Sequence, residues 1–266
     1  MENIKKLRDI TGAGMMDCKK ALEEAGNDLD KAIDVLRKSG IAKAAKRSNR
    51  ETSQGIIKLA LSDDNKEGYM VELNAETDFV VRNEKFQEFG DKVLELIKKE
   101  KPADCEALLS LPFNSGTVAS ELELLSGIIG EKLAIKRCAV LSSDGTVSAY
   151  THANGAIGVL VALDKPDQAD LARDIAMHIA AANPDYILPD EVPAEEIEKE
   201  KEVYREQLAK EGKPENIIEN ILQGKINKYF EGVCLVKQEY IKDDKQKVEQ
   251  VLGDVKVEKF IRFSLQ

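Results

Sequence analysis

The residue types that carry catalytic or ligand chemistry are few in this chain and badly spaced for it. Its two histidines, His152 and His178, stand on different elements and in no His-Glu-x-x-His arrangement, which argues against metal catalysis and histidine-based nucleophilic catalysis. Cys18, Cys105, Cys138 and Cys234 lie too far apart for a metal knuckle and are too few to staple a chain of 266 residues, so reduced, semi-buried thiols are expected. Gly12-Ala13-Gly14 comes nearest to a dinucleotide fingerprint, but Asp17 holds the third glycine position and the segment falls between helices rather than after a strand. Neither a glycine-rich loop followed by Lys-Ser/Thr nor a Gly-x-Ser-x-Gly elbow occurs. No catalytic residue, cofactor or metal is expected, and the chain does not read as an enzyme.

Two segments carry more than scaffold chemistry. Thr77-Asp78-Phe79-Val80-Val81-Arg82-Asn83 reads as a loop between a strand ending near Asn74 and a helix beginning near Asn83, with a large aromatic in its middle. Thr77 or Asp78 would cap a helix and Phe79 would staple it, or Phe79 is an exposed wedge beside a carboxylate, the composition of a partner-binding hot spot. Met15 and Met16 pose a similar choice between filling a small core and presenting a deformable apolar patch. His178, within Ile175-Ala176-Met177-His178-Ile179, reads as a partly buried structural histidine, and His152 sits in a glycine-flanked turn, either solvated or at work.

The elements that must position these residues change character along the chain. Residues 1–40 hold three short helical stripes: Ile4, Leu7, Ile10; Cys18, Ala21, Leu22, Ala25; and Leu29, Ala32, Ile33, Leu36. Asp17 and Asn27 or Asp28 are offered as caps, and Gly26 and Gly40 as stops. Residues 41–54 are small, polar and basic, and read as a linker. Strands are predicted at 56–61 and 69–74, followed by a helix with Phe86, Phe89, Val93, Leu96 and Ile97 on one face. The same order recurs with strands at 140–141, 147–150 and 157–163 and a helix at 167–182. Residues 190–230 then form two charged helices around the breaker Glu211-Gly212-Lys213-Pro214, an antiparallel coiled-coil hairpin, before strands at 233–236 and 260–263. The expected class is α+β and multidomain: a three-helix unit (1–40), the linker (41–54), two related α+β core subdomains (55–139; 140–189 with 231–266) and the inserted hairpin (190–230).

Charge narrows the partners. The chain has 39 Lys and Arg against 49 Asp and Glu, a net charge of -10, so phosphate backbones repel it as a whole and direct nucleic-acid binding is not expected. Residues 1–50 run the other way, with 12 basic and 8 acidic residues, and therefore face a different neighbour. No apolar run approaches the roughly 20 residues of a membrane span. The N-terminus shows neither a secretory nor a transit pattern, so a cytoplasmic protein is expected.

Leu7-Arg8-Asp9-Ile10-Thr11-Gly12-Ala13-Gly14-Met15-Met16-Asp17-Cys18-Lys19-Lys20-Ala21-Leu22 resembles the N-terminal signature of the bacterial elongation factor Ts family, and Glu76-Thr77-Asp78-Phe79-Val80 resembles its second. Leu36 to Gly40, Ile175 to Ala181 and Phe260-Ile261-Arg262-Phe263 extend the likeness along the chain. The resemblance implies a UBA-like three-helix domain, a two-part α+β core and the coiled-coil hairpin. It also implies a guanine nucleotide exchange factor for elongation factor Tu, engaging both its GDP-bound and nucleotide-free forms; a homodimer of that complex stays open. Asp78 and Phe79, flanked by Thr77 and Val80, match the pair that intrudes into the partner's nucleotide domain and disturbs its magnesium site. His152 matches a loop histidine aimed near the phosphate-binding loop, with Ala153 where the family pattern has glycine. Met15, Met16, Cys18 and Lys19 match a second contact, and Ile128-Ile129-Gly130 a further loop contact. Some members carry a C-terminal helical module after the Phe-Ile-Arg-Phe strand, which is not expected here.

The rival reading is an adaptor that exchanges nothing. It would bind helices or RNA through the three-helix unit, the coiled coil and the basic residues Lys43, Lys46, Arg47 and Arg50. An enzyme comes third, for want of converging titratable groups.

Overall fold

The computed structural model describes residues 2–45, 47–210 and 214–265. Three helices open the chain: α1 (Glu2–Thr11), α2 (Met15–Glu24) and α3 (Leu29–Ala45). Gly12, at φ +69°, lets the chain turn out of α1, and the Asp28 carboxylate caps α3 by accepting the N–H groups of Asp30 and Lys31 at 3.1 Å. Leu7, Cys18, Ala21, Leu22, Ala32 and Leu36 bury their side chains together between the helices. Two sequence expectations fail here. Asp17 is no cap, because it lies inside the first turn of α2 and Gly14 holds the cap position. Gly40 is no stop, because α3 runs on to Ala45 and takes up the start of the expected linker. Lys46, in that linker, lies outside the described residues.

The strands β1 (Gln54–Leu61) and β2 (Glu67–Ala75) form an antiparallel hairpin from Gln54 opposite Ala75 to Leu61 opposite Gly68. The one-turn helix α4 (Asp78–Val81) and the long helix α5 (Glu84–Glu100) follow, then α6 (Cys105–Ser110), the two-residue strands β3 (Pro112–Phe113) and β4 (Gly116–Thr117), and α7 (Val118–Ile129). β5 (Leu133–Ser142) returns beside β2, giving the order β1-β2-β5. Val140 and Leu141, expected to begin the second subdomain, pair instead with Tyr69 and Gly68 of this first sheet. The local run could not say which sheet it joins.

The strand β2 is buried on both faces, which explains its near-continuous apolar run. Tyr69, Val71, Leu73 and Ala75 pack under α5 and α7 with Phe86, Val93, Ile97 and Leu122. Met70, on the opposite face, meets Leu160, Val147 and Phe263 of a second sheet.

That second sheet is built from β6 (Thr146–His152), β7 (Ile157–Leu163) and, much later, β10 (Val257–Ser264), in the order β10-β7-β6, with the helix α8 (Ala169–Ala182) packed against it. Each sheet is thus a hairpin whose second strand receives a later third strand. Arg137 of β5 joins the layers: it pairs with the buried Glu72 at 2.5 Å, donates to the Ser264 carbonyl at 2.7 Å and lies 4.3 Å over the Phe263 ring.

Between α8 and β10 the chain forms α9 (Ala194–Lys210) and α10 (Glu215–Val233), the short strands β8 (Glu239–Tyr240) and β9 (Asp243–Lys247), and α11 (Val248–Leu252). Glu196 of α9 accepts from Tyr229 of α10, and Arg205 reaches Glu219 at 3.4 Å, so the two helices run side by side in opposite directions. The breaker residues Glu211, Gly212 and Lys213 lie outside the described residues; Pro214 immediately precedes α10. The strand expected at 233–236 is absent. α10 continues to Val233, and Leu235–Lys237 is a 3-10 turn whose apolar side chains bury in the second core. Among the described residues no helix is long and apolar enough to cross a membrane.

Candidate functional site

The end of β2 delivers Glu76-Thr77-Asp78-Phe79-Val80 to the rim of the first sheet. α4 is one turn long, and it divides its residues sharply. Val80 is 8% exposed and belongs to the core, whereas Phe79 is 79% exposed. The stapling alternative for Phe79 therefore fails. Thr77 does not cap with its side chain either: its N–H donates to Glu131 Oε2 at 3.0 Å and its hydroxyl to Glu131 Oε1 at 2.7 Å. Asp78 is paired with Arg82 one turn on, at 2.8 Å, and both side chains are solvent-accessible. Gln87 of α5 donates to the Val81 carbonyl, and Asn83 caps α5 by accepting from the Lys85 N–H at 3.0 Å.

His152 ends β6 at an exposed turn, its Nδ1 3.1 Å from the Tyr150 hydroxyl and its ring stacked on that of Tyr150. Ala153, Asn154 and Gly155 follow at φ 48°, 55° and 93°. Ala153 thus holds the left-handed backbone that a glycine would take freely. Gly155 lies so close to the Ile56 side chain that no Cβ would fit. Both this turn and α4 touch β1, the turn at Ile56 and Ile57 and α4 just after Ala75, the partner of Gln54, so the two flank the same end of that strand.

The N-terminal residues divide as well. Met15 and Met16 are 61% and 63% exposed, with Ile10 at 64%, so neither methionine fills the core of the three helices. Lys19 is exposed and within 3.7 Å of Glu23. Cys18, expected among the contacts, is instead fully buried, with its thiol donating to the Ala13 carbonyl at 3.6 Å. The turn before Met15 is tied to α5 by Lys85, whose Nζ donates to the Gly12 carbonyl at 3.0 Å. Ile128-Ile129-Gly130 is not a free loop: the two isoleucines end α7 and Gly130 is its left-handed cap at φ 91°. Ile128 packs against the N-terminal helices and Ile129 against the first core. Sequence reasoning overlooked Ile10 as a surface residue and Glu131 altogether. Ile10 continues the i, i+3 spacing of Ile4 and Leu7, so the stripe gave no sign of its exposure, and Glu131 and Thr77 are 54 residues apart with no local pattern to link them.

Residues 76–266 match the sequence model of the family described as Elongation factor TS. The chain belongs to the elongation factor Ts family. Elongation factor Ts of Nautilia profundicola is 44% identical over 98% of this chain and 91% of its own length, and that of Prosthecochloris aestuarii 44% over 99% and 97%. Elongation factor Ts of Deinococcus deserti is 43% identical over 100% of this chain and 99% of its own length.

For a member of the elongation factor Ts family, the chemistry of the site is that of a surface. Burial pushes the Cys18 thiol up, and that of Cys234 to about 11, so neither is a nucleophile at neutral pH. Among the described residues no three His, Cys, Asp or Glu side chains are grouped to hold a metal ion.

Proposed function

We propose that this chain is a cytoplasmic guanine nucleotide exchange factor for elongation factor Tu in translation elongation. Phe79 carries the reading: a large aromatic at 79% exposure, beside a carboxylate, on a helix fixed at both ends, is a side chain held ready for a partner. An exchange factor needs no reacting group of its own. It must bind the nucleotide-free partner more tightly than the GDP-bound one, and by linkage GDP then binds the complex more weakly by the same factor. Insertion of Phe79 would displace helices of the partner's nucleotide domain. Asp78, exchanging Arg82 for groups around the magnesium site, would weaken the charge neutralisation that holds the phosphates.

Thr77 and Val80 serve this wedge from behind, one through its anchor and the other through the core. His152 at the same end would approach the phosphate-binding loop. Met15, Met16 and Lys19 of a UBA-like three-helix unit supply a second, deformable contact, while α9 and α10 form a coiled-coil hairpin. The RNA-binding adaptor is less well supported, because two of its cations are engaged internally: Arg47 donates to the Ser126 carbonyl at 3.4 Å and Arg50 pairs with Glu76 at 3.1 Å.

The test is stopped-flow release of a fluorescent GDP analogue from elongation factor Tu in excess unlabelled GDP. Release is expected to accelerate with the concentration of this protein. No acceleration, with this protein folded and the partner active, overturns the proposal.

A further inference from the structure

Two acidic side chains at the root of the wedge each grip the backbone N–H of the residue that follows the other. The Glu131 carboxylate accepts the Thr77 N–H at 3.0 Å and the Thr77 hydroxyl at 2.7 Å; the Glu76 carboxylate accepts the Lys132 N–H at 2.6 Å. The strand end 76–77 and the segment 131–132 are thereby clamped by a reciprocal pair of carboxylate-to-backbone bonds. Further bonds close the clamp from outside: Arg50 reaches both oxygens of Glu76, at 3.2 and 3.1 Å, and Lys132 Nζ donates to the carbonyls of Ser48 and Arg50 at 2.6 and 2.8 Å.

The clamp sits where an exposed aromatic needs it most. A single helical turn has no cooperativity to hold itself, and its first N–H groups lack partners within the helix. Thr77 holds the cap position of α4 but spends its hydroxyl on Glu131, which takes the Thr77 N–H as well. A carboxylate near the start of α4 is also on the favourable side of the helix dipole. Gly130, in the left-handed conformation at the end of α7, turns the chain so that Glu131 points back at Thr77. The position of Phe79 is thus set from α7.

We infer that Glu131 is a positioning residue for the exchange reaction, holding α4 in the one orientation that presents Asp78 and Phe79 to the partner. This rests on the exchange reading above. Glu131 acts through the Thr77 anchor, so its loss should loosen the wedge while leaving Asp78 and Phe79 themselves in place.

Glu131→Ala and the isosteric Glu131→Gln are the variants, the second guarding against misfolding. In the protein alone, hydrogen exchange of the amides of residues 77–81 is expected to quicken by about tenfold in Glu131→Ala, the scale of a lost charge-assisted bond, and by less in Glu131→Gln, whose carbonyl still accepts one donor. Unchanged protection of those amides in Glu131→Ala overturns the inference. In the GDP-release assay, Glu131→Ala is expected to lower the maximal rate severalfold with the half-saturating concentration within about twofold. Added to Phe79→Ala, it is expected to have a smaller effect than in the native chain, because only Asp78 is left to position. An equal loss in the Phe79→Ala background, or none in the otherwise native chain, overturns it also. Failure of the unsubstituted protein to release GDP strikes the exchange reading instead, and the amide measurement still decides the anchor.

Discussion

Gly40 of α3 and Gly127 of α7 meet backbone to backbone, so close that a Cβ on Gly127 would stand 2.7 Å from the Gly40 Cα. Two helices approach this nearly only where neither carries a side chain, and at this crossing the N-terminal helices join the core. Arg37, one helical turn before Gly40, adds a latch by donating to the Ser115 carbonyl at 2.9 Å and the Ser120 hydroxyl at 3.3 Å.

Gly127→Ala is therefore expected to destabilise the protein by about 1–3 kcal/mol, because backbone atoms cannot step aside as a side chain could. Gly40→Ala, whose Cβ would meet its nearest atoms at 3.3 Å, is expected to lie near zero, since about 1 kcal/mol of helix propensity offsets the crowding. Urea unfolding of the two variants checks the contrast; a Gly127→Ala variant as stable as the native chain would mean that the crossing is not tight.

Phe79 and Val80 are neighbours with opposite duties. Phe79→Ala is expected to leave stability within about 0.5 kcal/mol and to cut the acceleration of GDP release by tenfold or more. Val80→Ala should instead cost about 1–2 kcal/mol of stability through the cavity left at the core's edge. Thermal melts beside stopped-flow release separate the two.

At the turn after His152 the backbone asks for a residue the chain does not supply. Ala153 at φ 48° bears a steric cost that glycine would not, so Ala153→Gly is expected to raise stability by about 0.5–1 kcal/mol with the turn unchanged. A lower melting temperature would show the strain to be relieved already.

The pH dependence of stability should carry the mark of His178. The ring is fully buried; its Nδ1 accepts the Ile241 N–H at 3.3 Å, so the proton sits on Nε2, which donates to Gln238 Oε1 at 3.0 Å. Burial holds its pKa below the ordinary 6.5, outweighing the Gln238 bond. A depressed folded pKa means that the unfolded chain takes up the proton first. The contribution is complete above about pH 6.5 and is lost as pH falls from there through the folded value, with a slope of at most about 1.4 kcal/mol per pH unit. Melting temperatures should fall between pH 7 and 5, and His178→Gln should flatten that window. An equally steep fall in the variant would exclude His178 as the cause.

Local structure was legible from the residues alone. The stripes of α1 to α3, the β1–β2 hairpin, the Phe86-Phe89-Val93-Ile97 face of α5 and the oddity of an aromatic between strand and helix are all written within a few residues of one another, because periodicity and turn chemistry act over one or two turns. Features that depend on partners far along the chain emerged only when the chain folded. Gly40 read as a stop because its helix partner Gly127 lies 87 positions away. Val140 read as the second half's first strand because its pairing with Tyr69 leaves no local trace. Cys18 and Met16 are two residues apart on one short helix, yet one is fully buried and the other 63% exposed, a difference set by which face the neighbouring helices cover. Glu131 was invisible for the same reason: a carboxylate's role lies in the backbone it reaches, and the chain had to fold before Thr77 stood within its grasp.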